Sequence, residues 1–190
     1  MAKLITYKPF CYIVNTKLYN YFYKKHIEKC IKETERSQVY VDIETTNACN
    51  ADCLMCPHSN MKRKISFMDF NIFKKIVDSA IESNLGVKEF VLSGFGEPFL
   101  DKLIFERISY IKSKGNYYVK LFSNAGLLDK EKTAKALSSG LDEIVISFNG
   151  ITKETYEKVM KINFEKSFAN FTNFIDERNK SGKKTPRIVL

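Results

Sequence analysis

Hydrophobic and polar positions alternate along this chain in blocks rather than singly. Dense aliphatic and aromatic runs recur at VYVDIETT (39–46), KEFVLSG (88–94), YYVKLFSN (117–124), DEIVISFNG (142–150) and PRIVL (186–190). Such runs read as strands covered on both faces, because a half-exposed sheet would show strict period-two alternation. The intervening segments carry the helical period instead. In 69–86, Phe73, Ile76, Val77, Ala80 and Ile81 share one face, and Gly86 closes the segment in the manner of a left-handed cap. The segment 101–115 repeats the arrangement with Ile104, Ile108 and Ile111 before Gly115. A third helix is predicted over 129–140, acidic near its start and ended by Gly140. Thr152 caps a fourth over 152–160, and a fifth around 165–180 is expected to bury Phe168, Phe171 and Ile175. Strand and helix in strict succession predict βαβ units and a parallel sheet, with chemistry at the carboxyl ends of the strands.

Residues 1–37 stand outside this rhythm. TKLYNYFYKKHIEKCIKETERS (16–37) predicts a helix mixing aromatic and basic positions, read as an extension beside the sheet, with contact to a membrane surface as the alternative. The first residues lean apolar, but Lys8 and Pro9 interrupt them and no small-residue cleavage site follows, so a signal peptide is not expected. Composition changes this picture little. The 44% hydrophobic and 28% charged content of the 190 residues fits a globular protein, and no window reaches the length of a membrane span. The formal charge of +9 is spread out, with clusters at Lys24–Lys25, Lys62–Arg63–Lys64 and Lys183–Lys184. It reads as a solvated basic surface, and no nucleic-acid motif accompanies it. The expected compartment is the cytoplasm, where five cysteines, an odd number, would stay reduced unless a metal holds them.

Three of the five cysteines crowd into TTNACNADCLMCPH (45–58), straight after the first strand. Spacing of i, i+4, i+7 suits a helical face, but Thr45, Thr46 and Asn47 favour a turn and Pro57 pushes Cys56 away from helical geometry. A loop wrapping Cys49, Cys53 and Cys56 around one centre is the better fit. Structural zinc asks for a fourth ligand, which His58 supplies only at an unusual spacing, with Cys11 and Cys30 distant in sequence. An iron–sulfur cluster accepts three thiolates and leaves one iron open. After the second strand comes SGFGEP, whose glycines admit close backbone approach and whose Glu97 offers a carboxylate to an ammonium group.

Taken together, CNADCLMC and SGFGEP resemble the CxxxCxxC loop and the glycine-rich GGEP element of radical S-adenosylmethionine (SAM) enzymes, over roughly residues 38–190. The resemblance implies a partial (β/α) barrel with about five of its six strand–helix units, the chain stopping at the fifth strand. It implies a [4Fe–4S] cluster on Cys49, Cys53 and Cys56, with SAM chelated to the open iron. Gly94, Gly96 and Glu97 would face the SAM amino group. SNAG (123–126) and SFNG (147–150) resemble elements after the third and fourth strands, which adds Asn124, Ser147 and Asn149 to the cofactor site. Two departures stand out: Met55 replaces a frequent aromatic, and Asn149 replaces an acid. The implied chemistry is reductive cleavage of SAM to a 5′-deoxyadenosyl radical that abstracts hydrogen from a peptide or small-molecule substrate, with a flavodoxin or ferredoxin as electron donor. CPH and GFGEP also resemble the subgroup with C-terminal auxiliary-cluster (SPASM-type) domains. The competing reading is a non-catalytic module stabilised by zinc or an iron–sulfur centre, with nucleic acid as its partner.

Overall fold

The computed structural model describes residues 17–36, 39–83 and 85–190, and the chain divides into two compact units, Met1–Gln38 and Val39–Leu190. The leading segment with Lys8, Pro9 and Cys11 lies outside the described residues. In the first unit, α1 (Lys17–Arg36) forms where the aromatic-basic helix was expected. Tyr19 and Tyr23, one turn apart, stack at 5.9 Å, and the Lys25 ammonium sits 5.2 Å over the Tyr21 ring. No helix among the described residues is long and apolar enough to cross a membrane.

The second unit is a five-stranded, all-parallel sheet of β1 (Val39–Asp42), β2 (Val87–Leu92), β3 (Tyr118–Ser123), β4 (Glu143–Ile146) and β5 (Arg187–Val189). The strands lie side by side in chain order. Every crossover therefore steps the same way, as in a (β/α) barrel, and the order never reverses as it does in a doubly wound sheet. Helices α2 (Phe70–Glu82), α3 (Ile104–Ser113), α4 (Lys130–Ser138), α5 (Lys153–Met160) and α6 (Phe164–Lys180) fill the connections, the last crossover using two. The core is the apolar set that the periodicity singles out: Phe73, Val77, Ile108 and Ile111 from helices meet Phe90, Val119, Leu121 and Ile144 from strands, with Ile76, Ala80 and Ile81 packed at its margin.

Three expectations are corrected. The strand runs are shorter than their apolar stretches: pairing of β1 with β2 extends past Asp42 through Ile43, whose N–H reaches Val91 O at 2.9 Å, and residues 147–150 are loop. Helix α2 ends at Glu82 with Ser83 as its cap, so Gly86, although left-handed at φ 72°, belongs to the turn into β2. On α6 the buried face is Ser167, Phe171 and Phe174, not Phe168, which is 47% exposed. Phe168 instead stacks on Phe164 at 5.7 Å, while Ile175 packs at the edge of the core. The cap at Thr152 is formed as expected, its side chain accepting Thr155 N–H, and Asp69 caps α2 by accepting the N–H groups of Asn71 and Ile72.

Candidate functional site

The cysteine loop leaves the carboxyl end of β1. It is shaped by Asn47, which is 3% exposed: its amide oxygen accepts Ser66 N–H at 2.7 Å, its amide nitrogen donates to Lys64 O at 3.0 Å, and its carbonyl meets His58 Nε2 at 2.8 Å. Thr46 adds a hydroxyl bond to Ser66 O and a bridge to Phe67. Together they fold 57–68 back over the end of the strand, with His58 engaged in holding that fold. Cys56 is extended (φ −90°, ψ 130°), as Pro57 requires, and opens a short 3-10 turn, Pro57–Asn60. All three cysteines are free thiols and half-buried. Burial pushes the Cys49 and Cys53 thiols up, and the neighbouring Glu97 and Cys56 for the one, Cys49 and Cys56 for the other, push further. The Cys49 and Cys53 thiols thus feel neighbouring negative charge, which is what a shared cation relieves. Among the described residues no three Cys, His, Asp or Glu side chains already stand in a metal-binding arrangement. The donor set, three soft thiols in one loop, nevertheless fits an iron–sulfur cluster better than a hard cation.

The Gly-Phe-Gly-Glu-Pro turn leaves β2 and lies directly against this loop. Glu97 N–H donates to Ala48 O at 2.8 Å. Contact is so close at Gly96 that a Cβ there would sit 2.2 Å from Thr46 O and 2.7 Å from Ala48 O. At Gly94 a Cβ would meet the Glu44 side chain at 2.5 Å. Glu44 is fixed in turn by a two-pronged ion pair with Arg63 (2.7 and 3.2 Å) and by Phe95 N–H at 2.9 Å, and the Arg63 pair holds its carboxyl below the usual carboxylate range. The Arg63 guanidinium also covers the Phe95 ring at 5.8 Å.

Glu97 itself is 2% exposed, and its carboxylate is committed to protein donors: Phe99 N–H at 3.2 Å, Ser123 Oγ at 2.8 Å and Asn124 N–H at 2.9 Å. Burial outweighs these donors and pushes its pKa up to about 7. The side chain therefore staples the β2 turn to the end of β3. Asn124, also buried, donates to Asn50 Oδ1 at 2.9 Å inside the cysteine loop, and accepts Gly126 N–H at 2.9 Å. Ser147 N–H bonds to Ser123 O at 2.8 Å, which sets the β4 end beside the β3 end. Asn149 is exposed, with its amide nitrogen 3.3 Å from Met160 Sδ. Met160, at the end of α5, also faces Cys53 Sγ through its sulfur and its carbonyl, both at 3.7 Å, and Val159 O accepts Leu54 N–H at 2.9 Å. The structure thus brings Cys49, Cys53, Cys56, Gly94, Gly96, Glu97, Asn124, Ser147 and Asn149 to one end of the sheet. Sequence reasoning placed Asn47 in a turn and Arg63 in a basic cluster without their partners, and missed Glu44, Asn50, Ser123 and Met160. The polar run after a buried strand hints at Asn47, whereas Glu44–Arg63 and Cys53–Met160 are long-range pairs without a local signal.

Fold and site together define a parallel α/β protein with a thiol-rich binding face at the carboxyl ends of its strands. Residues 43–190 match the family model of the Radical SAM superfamily, and the chain belongs to that superfamily. The family uses a [4Fe–4S] cluster and S-adenosylmethionine. Among curated proteins the chain is similar to a probable GTP 3′,8-cyclase of Methanothermobacter marburgensis, 30% identical over 126 residues that make up 66% of this chain and 40% of that protein. It is also similar to the tungsten-containing aldehyde ferredoxin oxidoreductase cofactor-modifying protein of Pyrococcus furiosus, 25% identical over 64% of this chain and 38% of that one. The fold is similar to Streptococcus suis SuiB bound to S-adenosylmethionine, with a TM-score of 0.64 at 19% identity, covering 85% of this chain and 36% of that one. The chain spans about two fifths of the length of these curated relatives.

Proposed function

We propose that this chain carries the cofactor-binding part of a radical SAM enzyme, with Cys49, Cys53 and Cys56 as the ligands of a [4Fe–4S] cluster and SAM beside it at the strand ends. When bound, the cofactors supply the one-electron reduction and the 5′-deoxyadenosyl radical that abstracts hydrogen from substrate. The chain's own residues supply placement. Gly96 lets the β2 turn meet the cysteine loop, and Glu97, with Ser123 and Asn124, holds that turn against β3. Gly94 and Phe95, fixed through Glu44 and Arg63, form the surface offered to the SAM amino group, while Asn124, Ser147 and Asn149 line the neighbouring strand ends. The substrate is a peptide or small molecule, the electron donor a flavodoxin or ferredoxin, the setting cytoplasmic, and α1 the element available for contact with a membrane surface.

The observation that carries this reading is the direct hydrogen bond from Glu97 N–H to Ala48 O, which locks the glycine-rich turn onto the three-thiol loop. Two motifs that a zinc-stabilised module would have no reason to join are built as one surface. Anaerobic reconstitution tests it. About four irons per chain and a visible absorbance bleached by dithionite are expected, and lost when Cys49, Cys53 or Cys56 is changed to Ala. Changing Cys30 should leave the iron content unaltered. Stoichiometric zinc with no iron uptake would overturn the assignment.

A further inference from the structure

The segment that folds back over the end of β1 finishes as an extended ribbon, 64–68, running antiparallel to 45–47. Met68 N–H donates to Thr45 O at 2.8 Å and Asn47 N–H to Ser66 O at 3.3 Å, with Thr46 and Phe67 bridged between these two bonds. The Asn47 side chain continues the seam, accepting Ser66 N–H at 2.7 Å and donating to Lys64 O at 3.0 Å. The bonds toward β1 thus fall on Lys64, Ser66 and Met68. Strand geometry turns the backbone groups of the residues between them to the opposite edge. Accordingly, neither Ile65 nor Phe67 makes a main-chain hydrogen bond among the described residues. Their side chains are open as well: all of 62–67 is exposed, Ile65 at 49% and Phe67 at 53%. The result is a short edge, held from behind by buried Asn47, that offers two N–H and two C=O groups outward. Such an edge is a template for one more strand.

Charge selects what can pair there. Arg63 is taken up by Glu44, but neither Lys62 nor Lys64 is in an ion pair among the described residues. A second copy of the chain would set its own lysines against these, and like charges across a strand pair are unfavourable. An incoming strand with acidic residues meets no such repulsion, and its apolar residues would cover Ile65 and Phe67. Asn47, which anchors the edge, lies two residues before Cys49, so a strand laid there is beside the loop that carries the cysteines. We propose that this edge captures an extended acidic peptide by strand addition, Ile65 and Phe67 supplying the main-chain bonds and Lys62 and Lys64 the charge. The inference rests on the proposed function only in making that peptide the substrate; the capture itself needs no cluster.

Fluorescent ten-residue peptides of alternating Glu and Val, titrated with the whole reduced chain with and without reconstituted iron and followed by anisotropy, test the proposal. The same peptide with Lys in place of Glu should bind at least about tenfold more weakly. A Glu peptide N-methylated at its internal residues keeps the charge but has lost its main-chain donors, and should also lose at least about tenfold. Changing both Lys62 and Lys64 to Glu should reverse the preference, so that the variant takes the Lys peptide, which shows at once that it is folded. Equal affinity for the Glu peptide and its N-methylated form would mean charge attraction without strand pairing, and would overturn the proposal. Glu-peptide affinity unchanged in the double variant would place the peptide elsewhere and overturn it too. A native chain that sediments as a dimer and binds no peptide would assign the edge to a second copy, against the proposal. Failure to load iron would leave peptide capture standing, just as failure to bind peptide would leave the cluster assignment standing.

Discussion

Replacing Glu97 by Gln tests whether the staple between β2 and β3 is a titrating group. The carboxyl has a free value of 4.5 and is pushed up to about 7 in the folded chain, by burial working against Asn124 N–H, Ser123 Oγ and Phe99 N–H. Between those values the folded state keeps a proton that the unfolded state has lost. Stability from this group is therefore complete below pH 4.5, falls as pH rises and is gone above about 7. At about 1.36 kcal/mol per pKa unit, its contribution should drop by roughly 2–3 kcal/mol between pH 5 and pH 8. Gln does not titrate. It does carry a fixed defect, because its single oxygen cannot serve both sides of the site. With that oxygen turned to Phe99 and Ser123, the amide nitrogen faces Asn124 N–H, at a cost of about 1–3 kcal/mol. The variant should thus be clearly less stable than the native chain at pH 5, and the gap should close or reverse at pH 8. Urea unfolding of the reduced, cluster-free proteins at the two pH values, followed by circular dichroism, measures both differences. A gap of the same size at pH 5 and pH 8 would show that Glu97 stays ionised throughout, and would refute the reasoning from burial.

Gly96→Ala places a methyl group against two backbone carbonyls that cannot step aside, and should cost at least about 2 kcal/mol in the same assay. Gly94→Ala meets only the Glu44 side chain and should cost less, so the reverse order would count against the close-approach argument. Arg107 and Asp101 form an ion pair at 2.7 Å with side chains 0% and 3% exposed, and Arg107 also donates to Met68 O. Arg107→Met leaves the Asp101 carboxylate buried without its cation and should destabilise by about 3–5 kcal/mol, whereas Arg107→Met with Asp101→Leu should recover much of that loss.

How much of this was legible in the sequence divides by range. The strands stand out because a sheet covered on both faces needs continuous apolar runs, and α2 and α3 because one apolar stripe suffices for a helix on a sheet. The cysteines and the Gly-Glu-Pro turn stand out because their chemistry resides in local spacing. The face of α6 was misplaced by one position. That helix meets both the core, through Phe171 and Phe174, and an aromatic cluster around Phe148, through Phe164 and Phe168, so apolar residues occupy more than one stripe. The role of Glu97 was hidden for a different reason. Which donors a buried carboxylate meets is fixed by the neighbouring strand, 26 residues on, and nothing in the hexapeptide around it records that.

The same long-range bonds bear on how the proposed cluster would be held. The cysteine loop is tied at Ala48 to the β2 turn, at Asn50 to the end of β3 and at Leu54 to the end of α5. Its backbone is therefore positioned by the sheet, unlike a zinc finger, in which the metal itself folds the loop. At Cys49 and Cys53 neighbouring negative charge opposes ionisation, and a bound cation offsets it. The sheet thus absorbs the cost of keeping the ligands together, and binding energy need not be spent on ordering the chain. It follows that damage at Asn50, Gly96 or Asn124, none of them a ligand, should misplace the thiols while leaving all three cysteines intact.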